Sequence, residues 1–424
     1  MAASASIDKK SRGDLVFVYA AYTLRYLYLL LLIPFYGRVL GVEGYAVVLA
    51  AMSLMAIVWR FVDWGFSTVG MRSIAVLKNS QYADLFGEHF VARVMLSILA
   101  IIGGVIAVFS SPLLLANPIA SGAAVMLGAL SAFNLGWYYT GSGRARNAVK
   151  LEVIGFIVSL VLILSLVRDS DDSDIVLLSL LMSSIISLAF AHFWIRAEIR
   201  GAKYSAKHGV KLIKTSSVVF LYTGSSALLV SSSTYILSIL ASSSDVGNFG
   251  AAERLVSVGL SLMGPAGQIF LPRITALFLE DKALAYELIR KVMVYMLGIG
   301  FMGLICSLVI GDFAVTLIFG EGFEESIYIL KWLALLFPLK ALSLILSSYV
   351  LFPQHQEKIL AKVVLVCALI SLVVSIPLSY QFGAMGMVSS RLIGEALICT
   401  CLLYSCWKLG FLAQVFKFTN GLHK

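Results

Sequence analysis

The sequence predicts an all-α polytopic membrane protein with twelve transmembrane helices arranged in two six-helix lobes. Three observations carry this fold class. Of 424 residues, 60% are hydrophobic and only 13% charged, with a mean hydropathy of +0.95. A soluble domain holds roughly 45–50% apolar and about 25% charged residues, so the surplus apolar surface must face lipid. Twelve segments reach the length of about 20 apolar residues that crosses a hydrocarbon core of about 30 Å. The Lys and Arg residues between those segments fall almost entirely on one side.

The first six segments lie near Leu15–Phe35, Tyr45–Trp64, Val91–Phe109, Pro118–Tyr139, Leu151–Val167 and Ile175–Ile195. The polar stretch Met1 to Asp14 runs into the first of them without a small-residue cleavage site, so it reads as a retained helix and not a signal peptide. The second six lie near Leu212–Leu240, Gly247–Pro272, Val292–Ile310, Ile327–Phe352, Ile359–Tyr380 and Ala384–Leu409. Counted over alternate connections, 23 Lys and Arg lie on one side and only Arg38 and Arg168 on the other. Cytoplasmic loops retain basic residues, so both termini are expected in the cytoplasm and the helix count is expected to be even.

The same bias accounts for the net charge of +9 and leaves no case for a nucleic-acid partner. The acidic stretches around Asp169–Asp174 and Glu321–Glu325 read as solvated outer loops. The cysteines, Cys306, Cys367, Cys399, Cys401 and Cys406, sit in apolar runs without metal-ligand spacing and read as small buried hydrophobes. No cofactor, metal or catalytic site is expected: there is no phosphate-binding lysine loop, no G-x-S-x-G and no H-E-x-x-H.

The longest basic connection, Arg196–Lys214, divides the lobes, which are expected over residues 1–200 and 201–424. Echoes link them: Arg72-Ser73-Ile74-Ala75 with Arg273-Ile274-Thr275-Ala276, and Trp137, Arg146, Lys150 with Tyr349, Lys358, Lys362 at a constant offset of 212. Paired halves suggest a transporter with its site between lobes.

An ionisable residue inside a bilayer costs at least about 2.5–3.5 kcal/mol on insertion scales and needs a reason. Arg25, Arg254 and Lys340 lack an acidic partner on their own helix face and are expected to line a wet, cationic cavity, with Arg60 as a further candidate. Arg60 with Asp63, and Arg391 with Glu395, stand three and four residues apart. Each set reads either as a self-neutralising pair or as cavity-facing groups. Arg93 and Lys331 lie near enough to helix ends to snorkel. Tyr22, Tyr26, Trp59 and Trp64 could stack on sugar faces, whereas Trp137–Tyr139 is expected to be an interfacial belt. Gly264-Pro265 and Pro338 interrupt their helices and are candidate hinges.

A set of short motifs recurs in order along the chain: Pro34-Phe35-Tyr36-Gly37-Arg38-Val39-Leu40-Gly41, Asp63-Trp64-Gly65-Phe66-Ser67, Trp137-Tyr138-Tyr139-Thr140-Gly141, Val246-Gly247-Asn248-Phe249-Gly250-Ala251-Ala252-Glu253-Arg254, Phe319-Gly320-Glu321-Gly322-Phe323 and Phe382-Gly383-Ala384-Met385-Gly386. Through these the chain resembles the Wzx-type flippases, in the larger group that includes multidrug and toxin extruders and lipid II flippases. The resemblance implies a V-shaped, two-lobed fold working by alternating access in the bacterial inner membrane. It implies undecaprenyl-diphosphate-linked oligosaccharide as cargo, and a polysaccharide polymerase and a chain-length regulator as candidate partners. It also implies coupling to a proton or sodium gradient, for which Asp63, Glu253 and Glu395 are the candidate groups. The alternative function is a cation-coupled multidrug or metabolite exporter, whose cargo would call for unopposed membrane carboxylates. A lipid II flippase would carry two additional helices, and a non-transporting scaffold for polysaccharide enzymes would tolerate loss of Arg25.

Overall fold

The computed structural model describes the backbone over residues 2–220 and 225–416, and side chains at residue 28 and over 31–220, 231–267 and 269–416. All regular structure among the described residues is helical, and the chain divides into two compact units, Met1–Ile239 and Leu240–Lys424. The first holds α1 (Ala2–Asp63), α2 (Phe66–Val76), α3 (Tyr82–Ser110), α4 (Pro112–Ala116), α5 (Pro118–Ser131), α6 (Gly136–Gly141), α7 (Ala145–Leu166), α8 (Ser173–Ile195), α9 (Ala206–Val219) and α10 (Ser225–Leu240), the last ending at the boundary. The second holds α11 (Ser243–Ser261), α12 (Gly264–Glu280), α13 (Lys282–Phe319), α14 (Glu324–Leu333), α15 (Leu336–Leu344), a π-helical stretch Ile345–Leu351, α16 (Glu357–Lys408) and α17 (Phe411–Phe416).

Among the described residues nine helices are long and apolar enough to cross a membrane. Twelve separate spans are therefore not reproduced one by one, and the reasons are local. The first expected span lies largely in residues whose side chains are not described, and the seventh is crossed by residues 221–224. The eleventh and twelfth are the two arms of α16, joined at Gly383, whose φ of 54° and ψ of −131° are not helical. At 1.5 Å per residue a straight helix would hold Ser371 and Ser390 about 28 Å apart, yet the hydroxyl of each donates to the carbonyl of the other at 3.0 and 2.7 Å. The arms are thus antiparallel and laced by serines. The same device bends α1 at Gly41 (φ 64°, ψ −172°), so that Tyr28 and Met52 line one cavity.

The long helices α3 and α13 expose apolar faces, as lipid requires. On α3 the exposed side chains include Ile98, Ile102, Ile106 and Phe109, and on α13 they include Val294, Phe301, Ile305 and Val309. The candidate hinges sit at real breaks: α11 ends at Ser261 and α12 restarts at Gly264 with Pro265 in its first turn, and α15 begins two residues before Pro338.

Two expectations are corrected by packing. Trp137, Tyr138 and Tyr139 do not form a belt; they are buried at 6%, 0% and 0% exposure in a cluster with Ile74, Phe86, Leu151 and Ile195. The two tyrosine hydroxyls find acceptors inside the protein, Tyr139 donating to the Ala191 carbonyl at 2.9 Å and Tyr138 to Glu198 at 2.7 Å. Arg93 does not snorkel either. It is 2% exposed, because a carboxylate and two rings receive it within the fold.

Candidate functional site

Among the described residues several charges on the apolar helices are paired within each unit, and the partners differ from those that sequence spacing suggests. In the first unit α1 ends at Asp63 and turns through Trp64 and Gly65, both at positive φ, into α2. This corner aims the Asp63 carboxylate at the start of α2, where Oδ1 accepts the Ser67 amide at 3.3 Å and its hydroxyl at 2.5 Å. Arg93 of α3 approaches the same oxygen at 3.6 Å. Its guanidinium lies 5.5 Å from the Phe66 ring and 5.4 Å from Trp137, within cation–π range. The expected Arg60–Asp63 pair is therefore corrected. Arg60 lies over the Trp59 ring at 4.4 Å, and Asp63 serves Arg93 from the next helix.

One turn before Arg93, His89 packs 4.6 Å from the Trp137 ring and is 1% exposed. Both its ring nitrogens, Arg93 Nε and Nη2, Ser97 Oγ and Trp137 Nε1 have no hydrogen-bond partner among the described residues. Buried polar groups are normally satisfied, which sets this cluster apart. Sequence spacing hid it, because i,i+4 pairing of His89 with Arg93 carries no charge complementarity.

In the second unit Lys340 of α15 is corrected from an unpaired cation to a paired one: Nζ lies 3.2 Å from Glu395 Oε2 on α16. Ser343, one turn on from Lys340, donates to the other Glu395 oxygen at 2.5 Å. Arg391, expected to pair with Glu395 on its own helix, instead meets Glu253 of α11 at 2.5 Å. The partner that packing brings from another helix forms this charge-assisted hydrogen bond, not the residue four positions along the same helix. Arg254 is likewise engaged. The Lys340 side chain keeps 41% of its surface open, against 10% for Glu395. Arg25, with Tyr22 and Tyr26, lies outside the described residues. Lys331, expected to snorkel, pairs with Asp312 at 2.8 Å.

The first unit also holds a cavity of about 320 Å³ between α1, α5, α7 and α8. Hydroxyls of Tyr28, Ser159, Ser183 and Ser187 line it with Asn134 and Glu152, against apolar walls such as Met52, Met55 and Phe156. The serines bond to carbonyls one turn back or on the neighbouring helix: Ser183 to Gly155 at 2.7 Å and Ser187 to Leu151 at 3.0 Å. Tyr28 and Ser159 share a hydrogen bond of 2.8 Å. Among the described residues the lining offers several hydroxyls, one amide and one carboxylate, Glu152. Its sequence signal, serines at helical spacing on α8, was not singled out.

At the basic end of the first unit Arg144 and Glu198 form a two-pronged pair at 2.6 and 2.9 Å, with Tyr138 donating to the same carboxylate. Burial alone would raise the Glu198 carboxyl, but hydrogen bonds from Arg144 and Tyr138 outweigh it and hold the group below its ordinary value. The Glu198 hydrogen bond in turn raises Arg144.

Several of these ordered motifs are structural in this geometry. Asn248, 1% exposed, accepts the amide and hydroxyl of Ser326 at 3.1 and 2.7 Å, which ties α11 to α14. Phe319 and Phe323 stack 5.1 Å apart across the turn between α13 and α14.

A family model described as "Polysaccharide biosynthesis protein" matches residues 14–278. A relative from Shigella dysenteriae, described as "Putative O-antigen transporter", is 24% identical over 402 residues, covering 91% of this chain and 98% of the relative. One of the same description from Escherichia coli (strain K12) is 24% identical over 411 residues, 92% and 95% of the two chains. Among solved structures the fold is similar to the inward-facing conformation of a multidrug resistance MATE family transporter of the MOP superfamily, with a TM-score of 0.66, 15% identity and coverage of 92% and 99%. It is also similar to the lipid II flippase MurJ in an inward closed conformation, with a TM-score of 0.63, 15% identity and coverage of 95% and 90%. These two likenesses show that the chain shares their all-helical fold.

Proposed function

The chain belongs to the polysaccharide biosynthesis protein family, and we propose that it is a flippase that carries undecaprenyl-diphosphate-linked oligosaccharide from the cytoplasmic to the periplasmic leaflet of the bacterial inner membrane by alternating access. Its transporter character rests on the family and on relatives matched over more than nine tenths of both chains. The observation that carries the charge of the cargo is Lys340, an intramembrane ammonium with 41% of its surface open. A diphosphate approaching it competes with Glu395 for the same point charge, and Arg254 and Arg25 are the further cations of this reading. Sugars of the cargo suit hydroxyl-lined surfaces such as the first unit's cavity.

A carboxylate that releases its cation when protonated is a natural coupling group. Glu395 with Lys340 and Glu253 with Arg391 have that form, so uptake of a proton at either frees a cation for the cargo, whereas the Arg93 that faces Asp63 is buried within the fold. The exporter reading is disfavoured by the same pairs, because a cationic drug would find these carboxylates already occupied.

The test follows labelled lipid-linked oligosaccharide in cells lacking this chain. Accumulation on the cytoplasmic leaflet with loss of surface polysaccharide is the expected result. Unaffected surface polysaccharide, with no second flippase present, would overturn the reading and direct attention to sensitivity towards small cationic compounds.

A further inference from the structure

The connection between α8 and α10 holds a basic face that the proposed transport does not use. Helix α9 starts after Ser205 and rests one side on the first unit. Gly209 lets it approach α3, since a Cβ there would sit 3.0 Å from the Val91 side chain and 3.3 Å from the Ala92 amide. Trp64 fixes its far end by donating to the Ile213 carbonyl at 3.2 Å and the Ser217 hydroxyl at 3.1 Å, and by stacking on Phe220 at 3.9 Å. The opposite side carries Lys207, Lys211, Lys214 and Val218. Offsets of four, three and four residues put them on one stripe, and all four are exposed.

The stripe is uncompensated. Glu198 is taken by Arg144, while Asp84 and Glu88 sit only loosely by Lys203 and His208, at 3.9 and 3.8 Å. Among the described residues Arg200, Lys207, Lys211 and Lys214 have no ion pair. Beside them Phe193, Trp194 and Tyr204 are exposed at 56%, 37% and 59%, and Arg196 lies over the Phe193 ring at 4.3 Å. Exposed aromatic rings mixed with basic residues are the composition of a membrane–water boundary. Along α9 the lysines cover about 10 Å of helix axis and give way to Val218, exposed at 73%, where the chain enters its next apolar helix. The stripe thus passes from cationic to apolar along one line, as the passage from headgroup to acyl chain does.

We propose that the Arg196–Lys214 connection is a docking face for anionic phospholipid headgroups of the leaflet on which it lies. The lysines are separate point charges on a convex helix face, with no arginine fork converging on a single spot. Such a face matches several monoanionic headgroups side by side better than one compact dianion. The aromatic rings and Val218 supply apolar contact to the same lipids' glycerol and upper acyl regions, while the inner side of α9 stays pinned to α1 and α3.

The test compares the full-length protein in bilayer discs of phosphatidylcholine with discs in which phosphatidylglycerol is titrated, reading the thermal unfolding midpoint and the phosphatidylglycerol retained on purification. Wild type is expected to melt higher in phosphatidylglycerol and to retain it, and 0.5 M salt, at a Debye length of only about 4 Å, should erase most of the difference. Each lysine near such a surface contributes roughly a five-fold preference. The triple variant Lys207→Gln, Lys211→Gln, Lys214→Gln keeps helix propensity, should melt as wild type in phosphatidylcholine and should lose most of the response. Changing the three to arginine should retain it. Should the glutamine triple fail to fold, the wild-type salt dependence and the variant Arg196→Gln, Arg200→Gln carry the same test. A salt-independent response, or one that survives removal of the lysines, overturns the proposal. So does an equal effect of inorganic pyrophosphate in phosphatidylcholine discs, which would make the face a site for a soluble diphosphate.

Discussion

At the scale of the residue, the intramembrane charges are decided by which side chain packing brings opposite, not by spacing along one helix. Glu395 serves Lys340 and Ser343, and Arg391 serves Glu253. Removing one partner of such a pair strands the other, whereas replacing both with apolar groups is often neutral. Glu395→Leu should therefore lower the melting temperature sharply, and adding Lys340→Leu should restore most of it. Adding Arg391→Leu instead should make matters worse, since the Arg391–Glu253 contact is then lost too. Equal rescue by both second changes would disprove the cross-helix pairing. The Arg144–Glu198 pair adds a pH signature. The folded Glu198 carboxyl lies below its ordinary 4.5, so its stabilisation is fully present above that value and is lost as pH falls through the depressed one. Arg144 is raised and stays charged throughout. The melting-temperature gap between wild type and Glu198→Gln should be constant from pH 7 to 5 and close on further acidification; a gap that holds to pH 3 would contradict the depressed value.

At the scale of the element, two glycines turn single helical runs into hairpins, and their surroundings predict different sensitivities. Both adopt backbone angles that are essentially confined to glycine, at about 1–3 kcal/mol for another residue. Around Gly41 a Cβ would meet nothing within 4 Å, so Gly41→Ala should lose only that strain. At Gly383 a Cβ would lie 2.4 Å from Asp245 Oδ1, the oxygen that accepts the Ala384 amide at 2.8 Å. Asp245 also completes the capping box with Ser242 at the start of α11. Gly383→Ala should thus disturb both the α16 turn and the α11 start, and destabilise clearly more than Gly41→Ala in paired thermal melts. Equal shifts would show that the turn yields without disturbing the cap.

At the scale of the whole molecule, the segregation of basic residues sets a topology that labelling can check. A cysteine introduced at exposed Lys207 should react with a membrane-impermeant maleimide only after the cells are opened, and one at exposed Asp171 should react in intact cells, each above the background of the native cysteines. Labelling of both from outside would refute an orientation with the basic connections inside. The exposed apolar faces of α3 and α13 fit the same picture, since residues pointing to lipid need no partner.

The sequence by itself determined the solvent, the helical class, the apolar segments and their basic sidedness, because each follows from composition and from local runs of residues. Gly41 and Gly383 were visible within the recurring motifs, although not as the points where α1 and α16 fold back. The sequence also marked Asp63, Glu253, Lys340 and Glu395 as charges needing a reason, since the cost of burying a charge in lipid does not depend on the fold. Only the tertiary structure decided what satisfies them. Arg93 reaches Asp63 across 30 positions of sequence, Lys340 reaches Glu395 across 55, and Arg391 reaches Glu253 across 138. Electrostatic pairing acts through space at a few ångströms, and helical periodicity reports neighbours only within one turn. The buried Trp137–Tyr139 cluster has the same cause: an aromatic run at the end of a helix reads alike whether lipid headgroups or another helix cover it, and only packing supplies the cover.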